Sequence, residues 1–296
     1  MKIAIIGAGK WGSALCGALG EKNECVITSR TPRNLPNFVS INEALDCQML
    51  VFVIAAQHTA AWLEANFINK NQKILVASKG IEASSGRFLN EIFEKHTDKA
   101  NLAYLSGPSF AAEVSQKLPC ALVVSSTNPA LANEFANLFP EYMKTYAETD
   151  VIGAEICGAY KNVIAIASGI CDGLRLGNNA RASLIARGIV EIARFGKFFG
   201  AKDETFLGLS GVGDLFLTAS SELSRNYRVG LGLAQNKSLE QILDELGEVA
   251  EGVYTARAIE KIAKDREIYT PIASEVNQIL NGKNVGESLK NLLRKH

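Results

Sequence analysis

Histidine, tryptophan and methionine are scarce in this chain, with 3, 2 and 3 copies in 296 residues. Three scattered histidines supply no ligand pattern for zinc or a related metal, so no metal site is expected. The six cysteines, Cys16, Cys25, Cys47, Cys120, Cys157 and Cys171, include no Cys-x-x-Cys pair. A chain of this length can bury its own core, and the cysteines read as small apolar residues of a reducing compartment, not as a disulfide framework. A surplus of either charge is also missing, since 31 basic residues face 31 acidic ones. A general nucleic-acid binder carries a basic excess. No nucleic-acid partner is therefore expected, while a local basic site for a small phosphate stays compatible with the balance. No apolar run extends over the roughly 18–20 residues of a membrane span without a polar interruption. Met1-Lys2 leads into Ile3-Ala4-Ile5-Ile6, but glycines cut that run too early for a secretory signal. A cytoplasmic location without a membrane span is the expectation.

What remains is an ordinary globular composition, 47% hydrophobic and 21% charged. At roughly 100–200 residues per domain, the length suggests two domains. The first half alternates short apolar strands with helices. Lys2–Ile6, Cys25–Ser29, Met49–Ala55, Lys73–Ser78, Leu102–Leu105 and Ala121–Ser125 read as strands. Helices are expected at about Trp11–Gly20, Thr59–Asn66 and Gly86–His96. This rhythm implies a mainly parallel sheet covered by helices. After Glu148 the strands stop, and Ile156–Cys171, Ala182–Phe199, Leu239–Leu246, Val253–Arg266 and Ile272–Asn281 carry helical periodicity. The fold class is thus α/β, with a Rossmann-type sheet domain over residues 1–150 and an all-helical domain over 151–296.

Gly7-Ala8-Gly9-Lys10-Trp11-Gly12 follows the first strand and opens the first helix. In that context Gly7 permits a tight turn, Gly9 lets backbone approach a pyrophosphate, and Gly12 lets helix and strand pack closely. The same glycines would also serve a strand–helix turn that binds nothing. About 20 positions further on, an acidic residue would hold the ribose 2′-hydroxyl of NAD. Ile27-Thr28-Ser29-Arg30-Thr31-Pro32-Arg33 has no carboxylate, and its arginines suit a 2′-phosphate or simply face solvent. NADPH is the expected cofactor, with NADH as the alternative.

Lys161 is the lone charge in the apolar stretch Gly158–Ala167. Desolvation lets a buried lysine give up its proton, as a general acid or base near neutral pH must; a lysine snorkelling to the surface fits the position equally well. Asp214 ends Gly211-Val212-Gly213-Asp214 before an apolar helix. It reads first as a helix cap and second as a partner of Lys161. Ser224-Arg225-Asn226 suits a phosphate, though its pattern alone reads first as a solvated helix end. Ser78-Lys79-Gly80, Gly107-Pro108-Ser109-Phe110-Ala111 and His58 each follow a strand, where loops carry function or merely turn the chain.

Together these stretches, with Gly208-Leu209-Ser210 leading into Gly211–Leu215, resemble the bacterial NAD(P)-dependent glycerol-3-phosphate dehydrogenase family. The resemblance implies an oxidoreductase that reversibly reduces dihydroxyacetone phosphate to sn-glycerol 3-phosphate for phospholipid synthesis. It implies that Lys161 transfers the proton. It implies substrate binding by Lys79, Gly107, Ser109, Lys161, Asp214, Ser224, Arg225 and Asn226. Cofactor binding falls to Lys10, Trp11, Arg30, Lys79, Ala111, Arg225, Val249 and Glu251, beside Gly7, Gly9 and Gly12 of the turn. The expected partner is this small phosphorylated substrate; the oligomeric state is open, a homodimer being one expectation. Two other readings are a related hydroxy-acid reductase, which would need a carboxylate clamp, and a non-catalytic NAD(P) sensor, which would need no proton donor.

Overall fold

The computed structural model describes residues 1–293; residues 294–296, which end the expected helical domain, lie outside the described residues. The chain divides into two compact units. The first comprises residues 1–79 and 88–155, and the second comprises residues 80–87 and 156–296.

The first unit is built on seven strands: β1 (Lys2–Ile6), β2 (Glu24–Thr28), β3 (Met49–Phe52), β4 (Lys73–Val76), β5 (Leu102–Ser106), β6 (Cys120–Ser125) and β7 (Met143–Glu148). They lie in the order β2-β1-β3-β4-β5-β6-β7. All neighbours are parallel except β5 and β6. Six helices accompany them: α1 (Lys10–Leu19), α2 (Ile41–Leu45), α3 (Ala56–Asn66), α4 (Leu89–Phe93), α5 (Ala111–Ser115) and α6 (Pro129–Ala136). Side chains alternate across each strand, so Ile3 and Ile5 join the core under α1 and α6, while Ala4 and Ile6 join the core under α2, α3 and α4. Phe52 anchors the second core through edge-on contacts with Trp62, Phe67 and Phe93.

Register sets the functional edge. Ile6 pairs with Phe52, Phe52 with Val76, and Val76 with Tyr104. The loops that follow β1, β3, β4 and β5 therefore leave one edge of the sheet together, at the carboxyl ends where open α/β sheets bind ligands.

Two expectations need correction, and one apolar helix has a separate explanation. The strand from Met49 stops at Phe52, because α3 starts at Ala56 instead of Thr59. The helix near residues 86–96 shrinks to α4, since residues 80–87 leave the sheet unit for the helical one. And one helix, Val151–Gly173, is long and apolar enough to cross a membrane by length and composition; 89% of its apolar window is buried within the protein, which accounts for its character.

That helix is α7, and the division between the units falls inside it, between Glu155 and Ile156. The second unit continues with α8 (Asn178–Phe198), α9 (Asp203–Leu207), a π-helical turn at Leu209–Gly213, α10 (Asp214–Ala219) and α11 (Arg225–Ala234). It closes with α12 (Leu239–Leu246), α13 (Glu251–Asp265), α14 (Pro271–Leu280) and α15 (Val285–Leu293). Pro271 occupies the first turn of α14, where its missing N–H costs nothing. Helix α7 meets α11 backbone to backbone: a Cβ on Gly169 would lie 2.0 Å from the Tyr227 carbonyl oxygen, and one on Gly230 would lie 2.1 Å from that of Ile166. All six cysteines are free, and burial pushes the Cys25 thiol up to about 12.

Candidate active site

In the sheet unit the site starts at the glycine turn. Gly7 has φ +122°, a conformation that L side chains avoid, and its N–H donates to the Thr28 carbonyl at 2.9 Å. A Cβ on Gly12 would fall 1.8 Å from the Gly7 carbonyl oxygen. These two glycines are demanded by the chain's own packing. Gly9 is different: a Cβ there would meet nothing within 4 Å. Gly9 is also the N-cap of α1, a helix whose first turn has no side-chain cap and no acidic residue. The positive end of a helix dipole is left open to an anion, with a bare backbone beside it. The pyrophosphate of a dinucleotide fits that arrangement.

Around the turn, the Trp11 indole N–H donates to the Ala77 carbonyl beyond β4 at 3.1 Å, which fixes the ring. Lys79 Nζ donates to the Gly107 carbonyl at 3.2 Å, and Ser109 Oγ donates to the same oxygen at 3.3 Å. Gly107 has φ +102°, and a Cβ there would press to 3.0 Å on the Ala121 carbonyl oxygen. Ala111 opens α5 and packs, half-buried, on the same core as Trp11. Arg30 and Arg33 follow β2 and are exposed. His58 lies exposed in the first turn of α3.

In the helical unit Lys161 is buried, at 7% exposure, and Asp214 is more so, at 1%. Lys161 Nζ bonds the Asp214 carboxylate directly and reaches Thr218 Oγ1 at 3.0 Å. Thr218 Oγ1 lies 3.4 Å from the same carboxylate oxygen. The carboxylate offsets a charge that burial alone would penalise heavily. Asp214 is the first residue of α10, and its helix is capped by Gly213 without a side-chain bond. The cap reading of Asp214 is thereby corrected in favour of the partner reading. The preceding π-helical turn is tight, since a Cβ on Gly211 would lie 2.1 Å from the Phe206 carbonyl oxygen.

Ser224 caps α11, its Oγ accepting the Tyr227 N–H at 3.2 Å. Arg225 is the exposed first residue of that helix and pairs with Glu248 at 3.2 Å. Asn226 is buried and donates from Nδ2 to Asn162 Oδ1 at 3.0 Å. Val249 is exposed, and Glu251 opens α13. Thr218, Asn162 and Glu248 are the neighbours that sequence reading missed. The i, i+4 spacing of Asp214 and Thr218 on one helix face was the available signal for the first. The adjacency of Asn162 to Lys161 was the signal for the second.

Known proteins align with this chain throughout. Residues 27–132 match the NAD-dependent glycerol-3-phosphate dehydrogenase N-terminus, and residues 150–290 match its C-terminus. The NAD(P)+ glycerol-3-phosphate dehydrogenase of Campylobacter jejuni strain RM1221 is 64% identical over 296 residues, 100% of both chains. That of Sulfurimonas denitrificans is 61% identical over 292 residues, 99% of both. The crystal structure of glycerol-3-phosphate dehydrogenase from Coxiella burnetii superposes with a TM-score of 0.92 at 30% identity, covering 99% of each chain. A sheet unit with a glycine turn at the start of its first helix, a helical unit with a buried lysine–aspartate pair, and these full-length matches place the chain in the NAD-dependent glycerol-3-phosphate dehydrogenase family.

Proposed function

We propose that this chain is an NAD(P)-dependent sn-glycerol-3-phosphate dehydrogenase, reversibly reducing dihydroxyacetone phosphate, with Lys161 as the group that moves the proton. The observation that carries the reading is the buried Lys161–Asp214–Thr218 cluster. A reaction that turns a ketone into an alcohol needs a hydride on carbon and a proton on oxygen. When bound, the reduced nicotinamide supplies the hydride. Lys161 Nζ supplies the proton to the forming alkoxide at C2, and takes it back in the reverse direction. Asp214 and Thr218 hold the ammonium in place, so that its geometry is set before substrate arrives.

The pyrophosphate belongs on the α1 amino terminus, with Gly9 allowing close approach and Lys10 and Trp11 beside it. Arg30, standing where NAD enzymes place an acid, favours NADPH over NADH. Lys79, Gly107 and Ser109 in the sheet unit, and Ser224, Arg225 and Asn226 in the helical unit, are assigned to substrate. Ala111, Val249 and Glu251 are assigned to cofactor, and Lys79 and Arg225 serve both. Arg225 offers a planar fork to the phosphate. Ser224 contributes through its helix cap, which orders the turn that presents Arg225. Supply of glycerol phosphate for phospholipid synthesis, a cytoplasmic location and a homodimer belong to the same reading.

The test is a choice of substrate. With NADPH, the purified chain should reduce dihydroxyacetone phosphate and leave keto acids such as ketopantoate untouched. Turnover of the keto acid without the phosphate would replace this reading with the hydroxy-acid reductase.

A further inference from the structure

Three buried groups in the helical unit form a directed chain of hydrogen bonds. The Gly252 N–H donates to Asn226 Oδ1 at 2.9 Å. Asn226 Nδ2 donates to Asn162 Oδ1 at 3.0 Å. Asn162 Nδ2 donates to the Gly158 carbonyl at 3.3 Å, within its own helix. A backbone N–H can only donate, so Gly252 fixes which end of the Asn226 amide is oxygen, and Asn226 then fixes Asn162. Flipping any amide would set donor against donor or oxygen against oxygen. Burial makes such a mismatch costly.

The relay joins three helices, and each of its members is the chain neighbour of a residue with an assigned role. Asn162 follows Lys161 in α7, Asn226 follows Arg225 in α11, and Gly252 follows Glu251 in α13. Gly252 is tied to this place sterically as well. A Cβ there would lie 2.7 Å from the Asn162 carbonyl oxygen and 2.7 Å from Asn226 Oδ1. Only a glycine lets the start of α13 lie directly on α7.

We infer that Asn162, Asn226 and Gly252 are a positioning relay that holds the proton-transfer, phosphate-binding and cofactor-binding residues of the helical unit in one register. Asn226 works chiefly through its neighbours, since its oxygen and one N–H are already engaged. Breaking any link loosens the starts of α11 and α13 against the middle of α7. The inference rests on the proposed function for the meaning of the register, but not for the existence of the relay.

The experiment uses the full chain with Asn162→Ala, Asn226→Ala, the double variant and Asn162→Asp. Hydrogen exchange at the Gly252 amide is read first, without substrate, so it is independent of whether dihydroxyacetone phosphate is turned over. Asn162→Ala removes no atom that touches this amide, yet it should speed its exchange about tenfold by freeing Asn226. Asn162→Asp keeps the oxygen that accepts from Asn226 but sets its second oxygen against the Gly158 carbonyl, so it should restore protection only in part. Should Asn162→Ala not fold, Asn162→Ser, whose shorter side chain withdraws the accepting oxygen from Asn226, provides the same exchange reading. In wild-type enzyme active on dihydroxyacetone phosphate, each alanine variant should raise KM about tenfold, and the double variant should be no worse than the weaker single. Unchanged Gly252 exchange in the alanine variants, or KM penalties that multiply in the double variant, would overturn the relay; a wild type inactive on dihydroxyacetone phosphate would overturn the proposed function and leave the exchange result to decide the relay.

Discussion

Lys161 places an ammonium where little water reaches it, and the rest of its cluster follows from that. Removing the carboxylate partner strands a buried charge, so Asp214→Ala should cost roughly 3–5 kcal/mol of stability, read by denaturant unfolding. Lys161→Ala strands the Asp214 carboxylate in the same way, so it should cost a comparable amount of stability and also be severe on rate. Loss of a positioned proton donor should lower kcat about 10²–10⁴-fold, with NADPH binding retained in a direct titration. Near-normal kcat would remove Lys161 from its role. Arg30→Asp should shift the NADPH/NADH preference toward NADH, since it restores the acid that grips a ribose hydroxyl; an unchanged ratio would discard Arg30 as the discriminator. Lys161 was legible in the sequence because a lone charge in an apolar helix stands out. Thr218 went unread, because its one signal, the i, i+4 spacing from Asp214, is faint in so short an apolar helix. Ser224 was legible as part of a polar cluster, but not as the cap of α11 on which its side chain is spent.

Among the elements, α7 matters most, because it begins in one unit and ends in the other. Its Glu155 is buried, and both carboxylate oxygens accept the Asn90 N–H at 3.1 Å, at the start of α4. Burial pushes this carboxyl up from its ordinary 4.5 to about 8, helped by Glu91 and Glu94 and opposed by the Asn90 and Leu89 N–H groups. The folded protein thus binds this proton more tightly than the unfolded chain does. The stability contributed by the neutral acid is complete below pH 4.5 and is lost as pH rises through about 8. Glu155→Gln should therefore flatten the fall in Tm between about pH 5 and pH 9. An equal fall in both proteins would refute the assignment. Strand β7 and helix α11 escaped sequence reading for opposite reasons. Strand β7 is a sheet edge with polar, partly exposed alternate residues, so its apolar signal is weak. Helix α11 carries Gly230 and Gly232, which lower helix propensity but allow its backbone to touch α7. Helix α6 did carry a signal, Asn128 capping and Pro129 in the first turn, that the reading passed over.

For the whole molecule, the alternation of strands and helices, followed by helices alone, was enough to give the α/β class and the change of texture near residue 150. What periodicity could not show is that residues 80–87 join the helical unit, because that depends on contacts such as Gly86 near Ile262 and Lys261 bonded to the Ser84 carbonyl. In the glycine turn, the packing duties of Gly7 and Gly12 were legible in the sequence. Gly7 and Gly12 answer to the fold, while Gly9 faces open space. Such a turn supports a dinucleotide but says nothing of what is reduced. That part of the account rests on the buried lysine cluster and on Arg225. The most direct measurement is NADPH oxidation on addition of dihydroxyacetone phosphate, in wild type and Lys161→Ala side by side. The account predicts steady turnover by the wild type and near-complete loss in the variant despite bound cofactor; no turnover by the wild type with either NADPH or NADH would contradict it.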